Sequence, residues 1–309
     1  MAGGRRAIVL SGLTRRRRWE VPDGLAQEKP QPEAGPVVPG LGAARLGSNL
    51  VRGPLSGSFR PILLCLTVTS DIIPSIWQPA QEPVMTTYFS AQTQCVACGN
   101  DVVITCLGST HSLGAPDLDL RPPEMTRSTM HAWVQECPDC GYCADEIDAA
   151  RSVAASAVKT AEYGLARKEG GAASRFQRWF LVADAAGLPE AAAQALVWSA
   201  WACDDEGDPI KAKGFRISAA ERYETLILDS GSAASGSGTA GPNEMTALVA
   251  DLWRRAGQWD AARKAAERGI AAGVDGDFLA VLKFQMHLVS LRDSGPYNLD
   301  QACAWRGGL

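Results

Sequence analysis

Apolar positions along this chain fall into two regimes that meet near Ala144. From there onward alanine rises, prolines thin out and apolar residues recur every three or four positions, the spacing that lines one face of an α-helix. Phe176, Trp179, Phe180 and Ala183 make one stripe. Met245, Leu248, Val249, Leu252 and Ala256 make a second, and Val281, Phe284, Leu288 and Leu291 a third. Each stripe predicts an amphipathic helix that needs a partner face. Trp179, Trp198, Trp201, Trp253 and Trp259 read as packing anchors between those helices, in preference to a ligand cage, because large rings dominate cores. The Gly/Ser/Ala run at 229–243 predicts a low-complexity connection, with Pro242 and Asn243 announcing the next helix.

Before Ala144 the pattern is shorter. DVVITC at 101–106 alternates and is β-branched, which predicts a strand, and MHAWVQE at 130–136 reads as a second one. The intervening LGSTHSLGAPDLDLRPPEMTRST is rich in Gly, Pro, Ser and Asp and predicts mostly loop.

Two helical stretches resemble each other at an offset of 70 residues: FLVADAAGLPEAAAQALVW and VADLWRRAGQWDAARKAAERG. They align Ala186-Gly187 with Ala256-Gly257, Ala191-Ala192 with Ala261-Ala262, and Ala195 with Ala265. A glycine in the turn, an aromatic two residues on at Trp259, and small residues where helices touch are features of tetratricopeptide hairpins, and the offset is near twice their period of ~34 residues. Only two units show the pattern. The expectation is therefore a few hairpins of this kind, forming either a peptide-binding face or a small bundle.

Residues 1–84 specify no core. They open with arginines in RRAIVLSGLTRRRRWE, continue through EKPQPEAGPVVPGLG, and show neither helical nor strand period. The apolar run at 61–68 is too short to span a bilayer, and Asp71 and Pro74 interrupt its continuation. An Arg-rich start suits a targeting peptide; the reading preferred here is that translation begins at Met85. Charge follows the same break. Residues 1–84 carry ten Lys or Arg against six Asp or Glu, whereas 85–309 carry 20 against 28, a net of -8. An acidic body repels phosphate backbones, so nucleic-acid binding is not expected.

Candidate chemistry lies in two Cys-x2-Cys-Gly motifs, Cys95 with Cys98 in CVACG and Cys137 with Cys140 in CPDCG, with 38 residues between them. Each turn aims two sulfurs at one point, and two such turns complete a tetrahedral four-sulfur shell. A closed shell leaves no position for water or substrate, which predicts one structural Zn2+ and not a catalytic ion. A thioredoxin-like pair needs a βαβ setting that is missing, and a disulfide framework suits short secreted chains better than this one with nine cysteines. Cys143 offers a third thiol that could replace Cys140. Cys65, Cys106, Cys203 and Cys303 have no partner at ligand spacing and read as small apolar side chains. His111 and His131 read as surface or packing residues in preference to backup ligands. Asp117, Asp119 and Arg121 in the loop invite a catalytic reading, with His131 as a further partner, though such acids more often pair with arginine or cap a helix.

The order CVACGNDVVI, then DLDLRPPEM, then MHAWVQECPDCGYCADEIDAA, then hairpins including LVWSAWACDD and ADLWRRAGQWDAARKAAERG resembles a bacterial family known as domain of unknown function 2225. The resemblance covers about residues 90–295 and is most specific over 95–143. It implies metal ligands at Cys95, Cys98, Cys137 and Cys140 and equivalent loop acids at Asp117 and Asp119; Cys143 departs from its pattern. The expected architecture is α+β: an extension at 1–84, a zinc-ribbon domain at 90–150, tetratricopeptide-like helices at 151–295 and a tail at 296–309. No H-E-x-x-H, G-x-x-x-x-G-K-[ST] or G-x-S-x-G motif is present. The expected function is a cytoplasmic, non-enzymatic module that holds a protein partner, without a membrane anchor. The alternatives are an enzyme using Asp117 and Asp119, and a nucleic-acid-binding ribbon.

Overall fold

The alternating run at 101–106 builds one strand of a hairpin. The structure is a computed structural model that describes residues 86–230 and 242–305. In it β2 (Asp101–Thr110) pairs antiparallel with β1 (Thr86–Gln94), from Thr86↔Thr110 to Gln94↔Asp101. Val102 and Ile104 are buried and Val103 is exposed, as a period of two requires. The extension at 1–84, the start proposed at Met85, Cys65 and most of the 229–243 connection lie outside the described residues.

Two more small antiparallel pairs follow: β3 (Ser112–Leu113) with β4 (Glu124–Met125), and β5 (Gln135–Glu136) with β6 (Cys143–Ala144). The strand expected over 130–136 is mostly absent. Arg127–Ala132 is a 3-10 helix, and only Gln135–Glu136 is extended. Local hydroxyls explain the difference. Thr129 Oγ1 donates to the Thr126 carbonyl at 2.7 Å and accepts from Trp133 Nε1 at 2.9 Å, giving this stretch internal partners in place of a ladder. Met130 and Val134 are consequently buried four residues apart, at helical spacing.

A helical region makes up the rest: α1 (Ala154–Ala157), α2 (Ala161–Glu169), α3 (Gly171–Ala185), α4 (Pro189–Asp205), α5 (Pro209–Ser230), α6 (Pro242–Arg255), α7 (Trp259–Ala271), α8 (Gly276–Ser290) and α9 (Leu299–Ala304). Consecutive helices from α3 to α8 pack on one another, and α6 also touches α8. Because α4 lies between α3 and α5, it is buried nearly all round, from Ala192 to Cys203. Helix α7 buries Ala262, Ala265, Ala266 and Gly269, a small-residue stripe that lets backbones approach closely. The third predicted stripe is corrected at its end: Leu291 is 62% exposed because α8 stops at Ser290, and Leu282, Gln285 and Val289 fill the buried face.

The repeated turns share one geometry. Leu188 N–H reaches the Ala183 carbonyl at 2.9 Å, and Gln258 N–H reaches that of Trp253 at 2.9 Å. This is the closing bond that terminates a helix at a left-handed residue, here Gly187 and Gly257. A third copy, which the sequence comparison did not detect, joins α4 to α5, with Asp208 N–H bonded to the Cys203 carbonyl at 2.8 Å beyond Gly207.

Residues 297–305, within the stretch expected as a tail, are built into the fold. Leu118 N–H bonds the Tyr297 carbonyl at 2.8 Å and Leu299 N–H bonds the Pro116 carbonyl at 3.0 Å, closing a bridge between Asp117 and Asn298. A capping box of Asn298 and Gln301 then starts α9. The cysteine-bearing region and the helices belong to one compact unit. Trp133 meets the rings of Trp198 and Trp201 on α4 at 5.5 and 6.3 Å, edge to face. The tryptophans named from the sequence serve as packing groups, with Trp179, Trp201 and Trp253 buried. Among the described residues no helix is long and apolar enough to cross a membrane.

Candidate metal centre

The two cysteine motifs form one structure made twice. Each is the loop of a hairpin, closed by Gln94↔Asp101 in one case and Glu136↔Cys143 in the other. Cys95 N–H bonds the Asn100 carbonyl at 2.9 Å, and Gly99 N–H returns to the Cys95 carbonyl at 2.7 Å. Cys137 and Tyr142 repeat the first bond at 2.8 Å; Gly141 and Cys137 repeat the second at 2.9 Å. Gly99 and Gly141 both sit at positive φ, 78° and 73°, where a Cβ would strain the backbone. A Cβ at Gly141 would also stand 2.6 Å from the exposed Arg167 guanidinium, which would have to move aside.

These turns bring Sγ of Cys95, Cys98, Cys137 and Cys140 within 4.8 Å of one another. The contacts between turns are 3.7 Å for Cys95 with Cys140 and 3.8 Å for Cys98 with Cys137. Four thiolates at ~2.3 Å around a central ion form a tetrahedron with edges of about 3.8 Å, so the spacing fits a metal. A disulfide needs about 2.05 Å, and all four cysteines are free. Cys95 and Cys137 are fully buried, while Cys98 is exposed. Burial works against a Cys137 thiolate, but the N–H groups of Cys140 and Asp139 point at its sulfur and hold its pKa below the usual thiol value. Burial prevails at Cys95 and Cys140, whose pKa values are raised. A set of thiols so placed gains its full charge when a cation is there to share it.

Cys143 stands outside the group. It is buried, its Sγ lies 3.6 Å from the Gly141 carbonyl, and burial pushes its pKa up to about 12. His131 also lies apart from the cysteines, its ring against Tyr88 at 5.4 Å and its Nδ1 3.2 Å from the Ser128 carbonyl. His111 is exposed in the loop.

Helices α2 and α3 hold the second turn from outside. The Gly141 carbonyl accepts from Tyr163 Oη at 2.8 Å and from Arg178 Nη1 at 2.9 Å. Tyr163 Oη also accepts from Cys143 N–H at 2.8 Å, and Arg167 Nη1 donates to the Cys140 carbonyl at 2.7 Å. Glu136, just before the turn, accepts from Arg178 at 2.6 Å and Arg175 at 3.2 Å. The first turn is tied to the second by Asn100 Nδ2 on Asp139 Oδ2 at 2.7 Å and to the segment after it by Val96 N–H on the Ile147 carbonyl at 3.0 Å. None of these supporting residues was picked out from the sequence. One signal was legible: Arg178 falls beside Trp179 in an apolar stripe, and a buried arginine needs an acceptor.

The loop acids do not meet in a common open pocket. Asp119 has no exposed surface. Its Oδ2 accepts from Trp201 Nε1 at 2.8 Å on α4 and from Arg255 on α6, and Arg216 on α5 stands 3.9 Å away. Burial alone would raise its pKa; Arg255, Arg216 and Trp201 outweigh that and hold it below the carboxylate range. Arg216 and Arg255 are shared with Asp204, which they bond from two directions. Asp117 faces Arg127 at 2.9 Å, and burial, with the nearby charge of Asp119, raises its pKa. Arg121 pairs with Asp205 at 2.5 Å. Asp119 is thus a buried junction joining the loop to three helices.

Comparison with protein-family models, with curated proteins and with solved structures finds no match to this chain.

Proposed function

We propose that this chain is a zinc-stabilised helical scaffold, in which one structural Zn2+ held by Cys95, Cys98, Cys137 and Cys140 fixes a ribbon against tetratricopeptide-like hairpins that receive a protein partner. The observation that carries the reading is the sulfur geometry: contacts of 3.7 and 3.8 Å across two like turns match a tetrahedral Zn–S shell and leave no open ligand position. Borderline-soft zinc suits four thiolates, whereas magnesium and calcium require oxygen donors. Reduced thiols at that spacing favour a cytoplasmic setting.

The partner surface we assign is the open groove of about 670 Å³ between α3, α4 and α5, lined by Gln177, Phe180, Leu196 and Phe215. Apolar floor residues with polar walls suit a peptide segment. The net charge of -8 over 85–309 argues against nucleic acid as the occupant. Elemental analysis of the purified full chain tests the metal, with about one zinc per chain expected. Cobalt substitution should give the intense charge-transfer bands of a tetrahedral thiolate site. A photo-crosslinker at Gln177 should capture a defined protein in cells, and one at exposed Leu291, beyond α8, should not; equal capture at both sites would refute the groove assignment.

A further inference from the structure

Helix α3 belongs to both halves of the molecule. One face carries Arg175 and Arg178 to Glu136 and to the Gly141 carbonyl of the second cysteine turn. The other carries Gln177 and Phe180 to the groove. The acceptor follows a metal ligand directly, because Gly141 is bonded to Cys140 and its own N–H closes the turn on Cys137. The donors are deeply buried, with Arg178 3% and Tyr163 1% exposed. Buried donors that lose an acceptor cost far more than exposed ones, since water does not replace it.

The Gly141 carbonyl therefore serves Tyr163 and Arg178 only while the turn holds its shape, and Arg178 alone has other acceptors, in Glu136 and the Ser174 carbonyl. With the ion in place, four bonds to sulfur fix that shape. Without it, the second turn is closed only by its own backbone bonds, Gly141 N–H to the Cys137 carbonyl and Cys137 N–H to the Tyr142 carbonyl. Asn100 and Asp139 still link the turns through one hydrogen bond, and Val96 ties the first turn to Ile147 beyond the second. At the other end of the helical region, Gly269 of α7 packs closely on Leu282 of α8, and Arg254 of α6 bonds the carbonyls of Asp293 and Gly295 beyond α8 at 2.8 and 2.9 Å.

We propose that metal occupancy of the cysteine cluster controls the docking of α2 and α3 through the Gly141 carbonyl, so that the ion acts as a switch on one wall of the groove and not merely as a staple of the ribbon. The inference rests on the metal reading given above and adds a direction to it. Coupling of this kind is reciprocal: if the ion stabilises the docked helices by some factor, loosening the helices weakens the ion by the same factor.

Hydrogen exchange on the full chain, with zinc and after chelation, tests it. Exchange in 161–185 should rise on chelation by a factor in the ~5–150-fold range usual for coupled sites, while 259–271 in α7 keeps its protection. In a chelator competition, Tyr163→Phe and Arg178→Met should each bind zinc more weakly than the parent, and Tyr163→Phe provides the readout if Arg178→Met does not fold. A chain that binds neither zinc nor cobalt would overturn the metal reading and this inference with it. A chain that binds metal normally but leaves exchange in 161–185 unchanged on chelation would overturn only the switch. Simultaneous loss of protection in α3 and α7 would overturn it as well, since the ion would then hold the whole fold.

Discussion

Asp119 and Trp201 are 82 residues apart in sequence and share a hydrogen bond of 2.8 Å in which neither side chain reaches solvent. Around this bond a loop that reads as catalytic becomes a structural junction. Asp119 meets Trp201 of α4 and the arginines of α5 and α6, and the match accounts for why a stretch rich in Pro and Asp takes one conformation.

Removing that charge without changing its volume should be severe. Asp119→Asn removes one of the two carboxylates that Arg255 and Arg216 share, the other being Asp204, and losing a buried hydrogen bond to a charged group costs about 1.5–3 kcal/mol. Urea denaturation should show a loss of that order. A variant as stable as the parent would mean that Asp119 is not the junction, and would restore it as a functional acid.

The same group sets a pH dependence. Because the folded pKa of Asp119 lies below its unfolded value, its contribution to stability is fully present above about pH 4 and is lost as pH falls through the lower folded value. The stability gap between parent and Asp119→Asn should stay constant near neutrality and narrow in strong acid. Urea midpoints for both proteins across pH 2–7 measure it.

Ligand and bystander cysteines should separate cleanly. Cys98→Ser should abolish stoichiometric zinc even though Cys98 is the most exposed of the four. Cys143→Ser should leave metal content unchanged, because its sulfur turns toward the Gly141 carbonyl. Zinc per chain, measured after gel filtration, distinguishes them; a folded, zinc-replete Cys98→Ser protein would contradict the ligand set.

Close helix packing gives a fourth expectation. A Cβ at Gly269 would stand 2.7 Å from both Leu282 Cδ1 and Thr246 Cγ2. Gly269→Val should therefore destabilise by about 1–3 kcal/mol through overpacking, with the thermal midpoint as readout. An unshifted midpoint would show that α6, α7 and α8 yield easily there.

What was legible in the sequence is what local rules determine. The cysteine turns were readable because Cys-x2-Cys-Gly encodes its own geometry, and the helical stripes because burial repeats with the helix. Long-range pairing was not readable. Nothing in the letters around Asp119 names Trp201 or Arg255, and the Gly207 turn lacked the alanines that made Gly187 and Gly257 look alike. The 130–136 segment misled because Met130, Ala132 and Val134 alternate like a strand, whereas the hydroxyl of Thr129 decides for a tight helical turn.

The bridge between Asp117 and Asn298 also sets an order of events during synthesis. The cysteine turns and the Ile147 bond to Val96 involve only residues already made by position 147. The 116–121 loop must wait for α4, α5, α6 and finally residues 297–299 before its last partners leave the ribosome. The four cysteines are therefore complete on the nascent chain while the loop still lacks its last partners.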